Sequence, residues 1–404
     1  MISPQGARSR VASLLTKFAK NITPNGYHDL GKQELPANSP RALVIYTIHY
    51  LHKVLFKQDV DKAWLNSHSG FWESLQMLKL LNEAGYIVDY YDTWNDDLKI
   101  EWDKYDLVID ERNNLQYCTS ARPVKVFYCT GVYWLRQNLG ELRRTEAFLR
   151  RTGIKTIAKR QLKSLVSDSY ADLQTHFGSD TQLQYFTPKH GFVPLDISCV
   201  TVPEVVSKNI QIARTHFVWF GGAGMLHKGA DLAIEAFATM PNVTLHIMGG
   251  IHEDLALEQW LAQMQSKYPN IKFEGWMNTE STRFQELVTD AIGVLLPSAS
   301  EGGPTSVPQA MHFGLLPIVT ETANLRCPLG YVIREEDPDA IITGIREAVQ
   351  SILTRSDDDL RTESEACRAF AQQRFTRDAY SRSFRALLAR VEQVRQLRSQ
   401  EQIN

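Results

Sequence analysis

Residues 297–314, PSASEGGPTSVPQAMHFG, gather the groups in this chain best suited to chemistry. Glu301 precedes Gly302 and Gly303, and a short helix is expected to have its N-terminus within residues 302–306. The free N–H groups and positive dipole end of such a helix favour phosphate oxygens. A carboxylate beside a phosphate is electrostatically unfavourable unless it serves another part of the same ligand, such as sugar hydroxyls that donate to it. Together these features suggest a nucleotide-sugar site.

A second stretch, HFVWFGGAGMLHKGADLAIEAF at 216–237, reads as a strand, a glycine loop and an amphipathic helix with Lys228 at the turn. Gly221, Gly222 and Gly224 permit close backbone approach, and Lys228 can place a point charge on a phosphate. A Walker loop needs Gly-Lys-Ser/Thr, but here the lysine precedes Gly229 and no hydroxyl follows. A dinucleotide loop needs a third glycine at its set spacing and an acid ending the next strand, whereas VTLHIMGG at 243–250 ends in glycines. A plain glycine turn with a solvated lysine is the remaining alternative.

The elements that must position these residues follow from apolar runs. AIGVLLP at 291–297 and LLPIVT at 315–320 read as buried parallel strands on either side of the Glu301 loop. IKFEGWMN at 271–278 reads as a further strand and loop, with a helix over 279–288. In the first half, strands are expected at 42–48, 86–92, 106–111, 124–129 and 164–167, with a helix over FWESLQMLKLLNEAG at 71–85. Strands alternating with helices predict a doubly wound parallel sheet.

The order of these motifs over about 170 residues resembles the C-terminal half of retaining GT-B glycosyltransferases, the large nucleotide-sugar-dependent group 1 family with an acid, seven residues and a second acid. The resemblance implies an α/β architecture of two Rossmann-like doubly wound parallel-sheet domains facing a cleft, with a C-terminal helix crossing back. It implies donor binding by Gly222, Ala223, Gly224 and Lys228, by the base-bordering loop Gly275, Trp276 and Met277, and by Glu301, Gly302, Gly303, Pro304, Thr305, Ser306 and Gln309. Glu301 and Lys228 would be the catalytic pair, the lysine on the diphosphate and the carboxylate on the sugar. Two positions depart from the pattern. The second acid is Gln309, which can accept from ribose hydroxyls without a charge, or can close an S-x-x-Q capping box with Ser306. Ala223 stands where an arginine is usual, and the loop's own N–H groups, His227 and Arg136 are candidate substitutes.

The 404 residues suit two domains. The expected division is an extension at 1–40, an N-terminal acceptor domain at 41–205, a C-terminal donor domain at 206–375 and a returning helix at 376–404. A net charge of −2 offers no basic field for nucleic acid. The five cysteines form no CxxC pair, which argues against a metal site or disulfide framework. No apolar run is long enough for a membrane span and no signal-peptide core precedes the first strand, so the expected location is cytoplasmic. Residues 7–20, ARSRVASLLTKFAK, interleave cations with apolar residues, as an interfacial membrane helix or a helix packed on the domain surface would.

The N-terminal half is less informative. The loop CTGVYWLRQN at 129–138 supplies Thr130, Gly131 and Tyr133 as acceptor-side candidates. His68 is another, with helix capping as its alternative. Trp64, Trp72 and Trp134 could stack on sugar rings, although aromatics at these spacings more often pack in a core. Glu141, Arg143, Arg144 and Glu146 read as a solvated helix face. The acid runs at 96–97, 335–337 and 357–359 are not expected to bind metal, and for the latter two the complement of first-turn acids to a helix dipole is a sufficient explanation.

The expected activity is transfer of a sugar, with retention, from a UDP- or GDP-sugar to a hydroxyl of a glycan or lipid-linked acceptor in polysaccharide or glycoconjugate biosynthesis. No cofactor or metal is expected. A nucleotide-sugar epimerase of the same fold and an inactive glycan-binding homologue are the alternatives.

Overall fold

The computed structural model describes residues 26–48, 51, 65–66, 68–95, 98–200, 202–204, 206–250 and 254–403. The amphipathic segment 7–20, Trp64 and the acid pair at 96–97 lie outside these residues. The chain divides into two compact units, Met1–Lys125 and Val126–Asn404, at a point inside strand β5 (Val124–Phe127).

In the first unit the strands run β1-β3-β2-β4. β2 (Arg41–Tyr46) is an almost uninterrupted apolar run, as a strand covered on both faces requires, and Ala42 to Ile45 are fully buried. It lies parallel to β3 (Ile87–Asp92) and β4 (Leu107–Asp110). β1 (Gly26–Leu30) pairs antiparallel with β3, so the sheet is not wholly parallel and the expected extension at 1–40 contains a strand. GYHDL has no apolar alternation, and its place is fixed by charge: Asp29 and the buried Asp89 share Arg41, at 2.6 and 2.8 Å. Helix α1 (Ser69–Glu83) packs against β3.

The second unit begins with β5, β6 (Leu173–His176) and β7 (Phe192–Pro194), paired in parallel. The strand expected at 164–167 is not formed; irregular chain and a 3-10 turn at Ser167–Tyr170 occupy it, and the true strand, LQTH, is polar yet buried. Between β5 and β6 lies α2 (Trp134–Thr152), ended by Gly153 in the left-handed conformation. A second sheet follows, in the order β10-β9-β8-β11-β12-β13, every pair parallel. Its strands are β8 (His216–Phe220), β9 (Thr244–Met248), β10 (Ile271–Gly275), β11 (Gly293–Leu296), β12 (Leu316–Thr320) and β13 (Tyr331–Ile333). That is the doubly wound order with its reversal between β8 and β11, and ligand crevices open at the carboxyl ends of the strands at such a point. The Lys228 and Glu301 loops leave those two strands.

The flanking helices are α3 (Ala230–Phe237), α4 (Leu255–Lys267), α5 (Thr282–Thr289), α6 (Ser306–Met311), α7 (Pro338–Leu353), α8 (Asp357–Arg374) and α9 (Arg377–Ile403). α9 returns to β5–β7: the Tyr380 and Tyr128 hydroxyls meet at 2.9 Å, and Ser383 Oγ accepts from the Asp196 N–H. Asp337 caps α7, and Asp357, Asp358 and Asp359 occupy the first turn of α8. Among the described residues no helix is long and apolar enough to cross a membrane, and no three His, Cys, Asp or Glu side chains gather as a metal site.

Candidate active site

β8 ends at Phe220 and the chain turns through Gly221–Gly224 and a further turn into α3. Gly224 and Gly229 both have positive φ, at 89° and 68°, which glycine adopts without strain. A Cβ on Gly229 would strike the Pro297 carbonyl oxygen, so the turn before α3 lies directly on the end of β11. The Lys228 N–H donates to Gly224 O, and its carbonyl accepts from Trp219 Nε1, which fixes the backbone at both ends.

Lys228 Nζ lies 2.5 Å from Glu301 Oε1, and Ser298 Oγ donates to the same oxygen at 3.0 Å. Both side chains are about nine-tenths buried. Burial would raise the Glu301 pKa, but the charges of Lys228, Arg160 and His227 and the Lys228 hydrogen bond outweigh it and bring it down to about 2. Glu301 does not cap the following helix. α6 starts five residues later, and Thr305 at its N-cap makes no side-chain capping bond.

The Ser306–Gln309 capping box is not formed. Gln309 Oε1 accepts from the Val200 N–H at 3.1 Å, so the side chain reaches toward Val200. The oxygen proposed for ribose hydroxyls thus already serves a backbone donor. Gly302 abuts the acceptor-side loop, since a Cβ there would strike Thr130 O and Gly131 Cα; Gly303 is packed on Phe177 in the same way. Tyr133 occupies the N-cap position of α2 and stacks on Tyr185, rings 8° apart with centroids at 6.2 Å. Gly275 ends β10 with φ 75° and accepts from the Gly249 N–H, while Trp276 beside it is 66% exposed and Met277 half-buried. His68 belongs to the first unit and caps α1, its Nδ1 accepting from the Gly70 N–H.

Glu141 and Arg144 correct the expectation of a solvated face: they are 3% and 4% exposed. Gln137, Glu141 and Arg144 follow one another at i, i+4 and i+7, so the inward face of α2 is polar, and Leu135, Leu139 and Leu142 are exposed. The inward residues hold the site loops. Arg144 donates to Pro297 O, Ser300 Oγ donates to Gln137 Oε1, and Glu141 Oε2 lies 2.8 Å from His227 Nδ1. His227 Nε2 in turn faces Ser300 O at 2.7 Å. Burial would raise the Glu141 pKa, but His227 and the Arg160 and Lys159 N–H groups outweigh it and hold the carboxyl below its usual range.

Of the substitutes considered for a cation at position 223, Arg136 is paired with Glu336 at 2.8 Å and His227 is wholly buried. A residue overlooked in the sequence, Arg160, lies on the glycine loop instead, its Nη1 3.4 Å from Ala223 O and its Cδ against Gly224. The available signal was the run IKTIAKRQLKS at 154–164, four cations with no acid.

These features define a crevice at the reversal point of a doubly wound sheet, on a GT-B fold. Residues 214–351, which contain the second sheet and its two loops, match the family model of glycosyl transferases group 1. Over 102 residues the chain is 33% identical to the glycogen synthase of Lacticaseibacillus casei strain BL23, a match spanning 24% of this chain and 21% of that protein. The fold is similar to sucrose-phosphate synthase of Thermosynechococcus elongatus, with TM-score 0.58, 13% identity and coverage of 88% of this chain and 100% of the other. It is also similar to Anabaena HepE in complex with UDP and glucose, with TM-score 0.54, 12% identity and coverage of 87% and 100%.

Proposed function

We propose that the whole chain is a retaining glycosyltransferase that moves a sugar from a nucleotide-diphosphate sugar to a hydroxyl of a glycan or glycolipid. The observation that carries this reading is the contact of Lys228 with Glu301 where the β8 and β11 loops meet. A buried cation and a buried carboxylate side by side suit a ligand with a diphosphate at one end and sugar hydroxyls at the other. In this reading Lys228 exchanges Glu301 for the diphosphate when donor enters, and Glu301 turns to the sugar. As the anomeric bond breaks, Lys228 and the backbone N–H groups of Gly302, Gly303, Thr305 and Ser306 stabilise the departing diphosphate, and Glu301 favours the positive charge developing on the sugar. The attacking hydroxyl approaches from the leaving-group face, so no protein nucleophile is required. Donor is a substrate here, and the reading calls for neither cofactor nor metal. UDP leads GDP as the base to try, given the UDP complex of the similarly folded Anabaena protein.

The test is thermal shift with UDP, GDP, ADP and their sugars, followed by transfer assays with glycan and glycolipid acceptors. A ligand at 100 times its Kd stabilises by about 2.7 kcal/mol. Lys228→Ala should weaken donor and free diphosphate alike and leave nucleoside binding nearly unchanged. Donor binding with no turnover on any acceptor would favour an inactive glycan-binding homologue, a reading supported by the engagement of Gln309 with Val200. Donor turnover without acceptor would favour an epimerase.

A further inference from the structure

Residues 154–163 form an irregular strap without helix or strand, and side chains of other elements hold it by its backbone. Glu141 Oε1 accepts from the N–H groups of Lys159 and Arg160, at 2.7 and 3.1 Å. Gln137 Nε2 donates to Arg160 O, and Asn138 bonds both the N–H and the carbonyl of Leu162. At its other end Thr156 Oγ1 donates to Asp254. These bonds hold the strap by its backbone at Lys159, Arg160 and Leu162, the last two at both N–H and carbonyl. Arg160 is gripped at its N–H and at its carbonyl.

The side chain so fixed reaches the glycine loop. Its Cδ fills the space that a side chain on Gly224 would take, and its Nη1 makes a long bond of 3.4 Å to Ala223 O. Among the described residues no carboxylate lies within ion-pairing distance of its guanidinium, although Arg136, Arg143 and Arg151 of the neighbouring helix α2 all have one. Arg160 Nε is buried and makes no hydrogen bond. The lysine of the same loop is neutralised by Glu301. Arg160 therefore brings to the glycine loop a positive charge held in no direct ion pair, on a planar fork of donors matched to phosphate oxygens.

We propose that Arg160 is a phosphate-contacting residue of the donor site, delivered from the strap to the position where Ala223 leaves the glycine loop without a cation, and that Glu141 is the positioning residue that holds it there. The inference rests on the nucleotide-sugar reading above. It assigns to this chain a binding site assembled from two separate segments, 154–163 and 221–228.

The test is titration calorimetry of the full chain with UDP, GDP and ADP and with the corresponding nucleosides. Arg160→Ala is expected to weaken the bound diphosphate at least 10-fold and leave nucleoside affinity within two-fold, with the thermal midpoint unchanged. Arg160→Lys, which keeps charge and loses the fork, should fall between. The second variant, Arg160→Ala with Ala223→Arg, puts the cation back from the loop itself and should recover most of the lost affinity. If Arg160→Ala binds diphosphate as the wild type does while Lys228→Ala does not, the inference is wrong and the proposed function stands. If the wild type binds none of the three diphosphates, both fall.

Discussion

Glu141 Oε2 lies 2.8 Å from His227 Nδ1, and the other oxygen of that carboxylate accepts the N–H groups of Lys159 and Arg160. One buried acid thus joins the residue before Lys228 to the strap that carries Arg160. Its removal should affect both. Glu141→Ala strips a buried ring of its partner and two N–H groups of their acceptor, so it should cost about 3 kcal/mol of stability. Urea denaturation measures this, and a midpoint equal to that of the wild type would contradict the burial described.

Glu301→Gln keeps size and hydrogen-bonding ability and removes the charge. Diphosphate affinity should stay within a few-fold, while turnover falls roughly 100-fold, about 2.7 kcal/mol of transition-state stabilisation. Steady-state rates on the best donor identify the effect. Full activity in a well-folded variant would remove the central residue of the mechanism.

The same carboxylate predicts an acid limb in stability. Its pKa is lowered from 4.5 to about 2 on folding, so the folded state binds fewer protons at this group than the unfolded state. The stabilisation is therefore complete above about pH 4.5 and is lost as pH falls from there through 2, by about 3 kcal/mol in all. Denaturation of wild type and Glu301→Gln should show a stability gap that narrows across that window. A gap independent of pH would mean that Glu301 does not titrate as this pair requires.

Gln309→Glu should retain the bond from Val200, since a carboxylate oxygen accepts as an amide oxygen does. It also adds the charge that strengthens acceptance from ribose hydroxyls, so nucleotide affinity should hold or rise. Calorimetry against the wild type decides. A fall in thermal midpoint with no gain in affinity would assign Gln309 to packing alone.

The parallel strands of the second sheet and the two loops at its reversal point were legible because buried strands read as apolar runs and the loops interrupt them with glycines. Lys228 and Glu301 were legible as charges at the ends of such runs. Glu141, Arg144 and Arg160 were not. Burial logic assigns charges to solvent, and α2 reverses it by turning Gln137, Glu141 and Arg144 inward with Leu135, Leu139 and Leu142 outward. A polar set at helical spacing was present in the sequence, but nothing local said which face was covered. Strand β6 was missed for a related reason, since Gln174, Thr175 and His176 are buried polar residues in a run without alternation. The S-x-x-Q spacing misled in the opposite direction, because Val200, more than 100 residues away, captured the glutamine.

Gly229 touches the Pro297 carbonyl with no atom to spare. Lys228 is its neighbour, and Pro297 begins the segment that carries Glu301, so the gauge between cation and carboxylate is set by an absent methyl group. An alanine at 229 would act as a shim, driving the start of α3 off the tip of β11 and spreading the two charges without altering either. The span of the crevice is thus written at a position that bears no functional group.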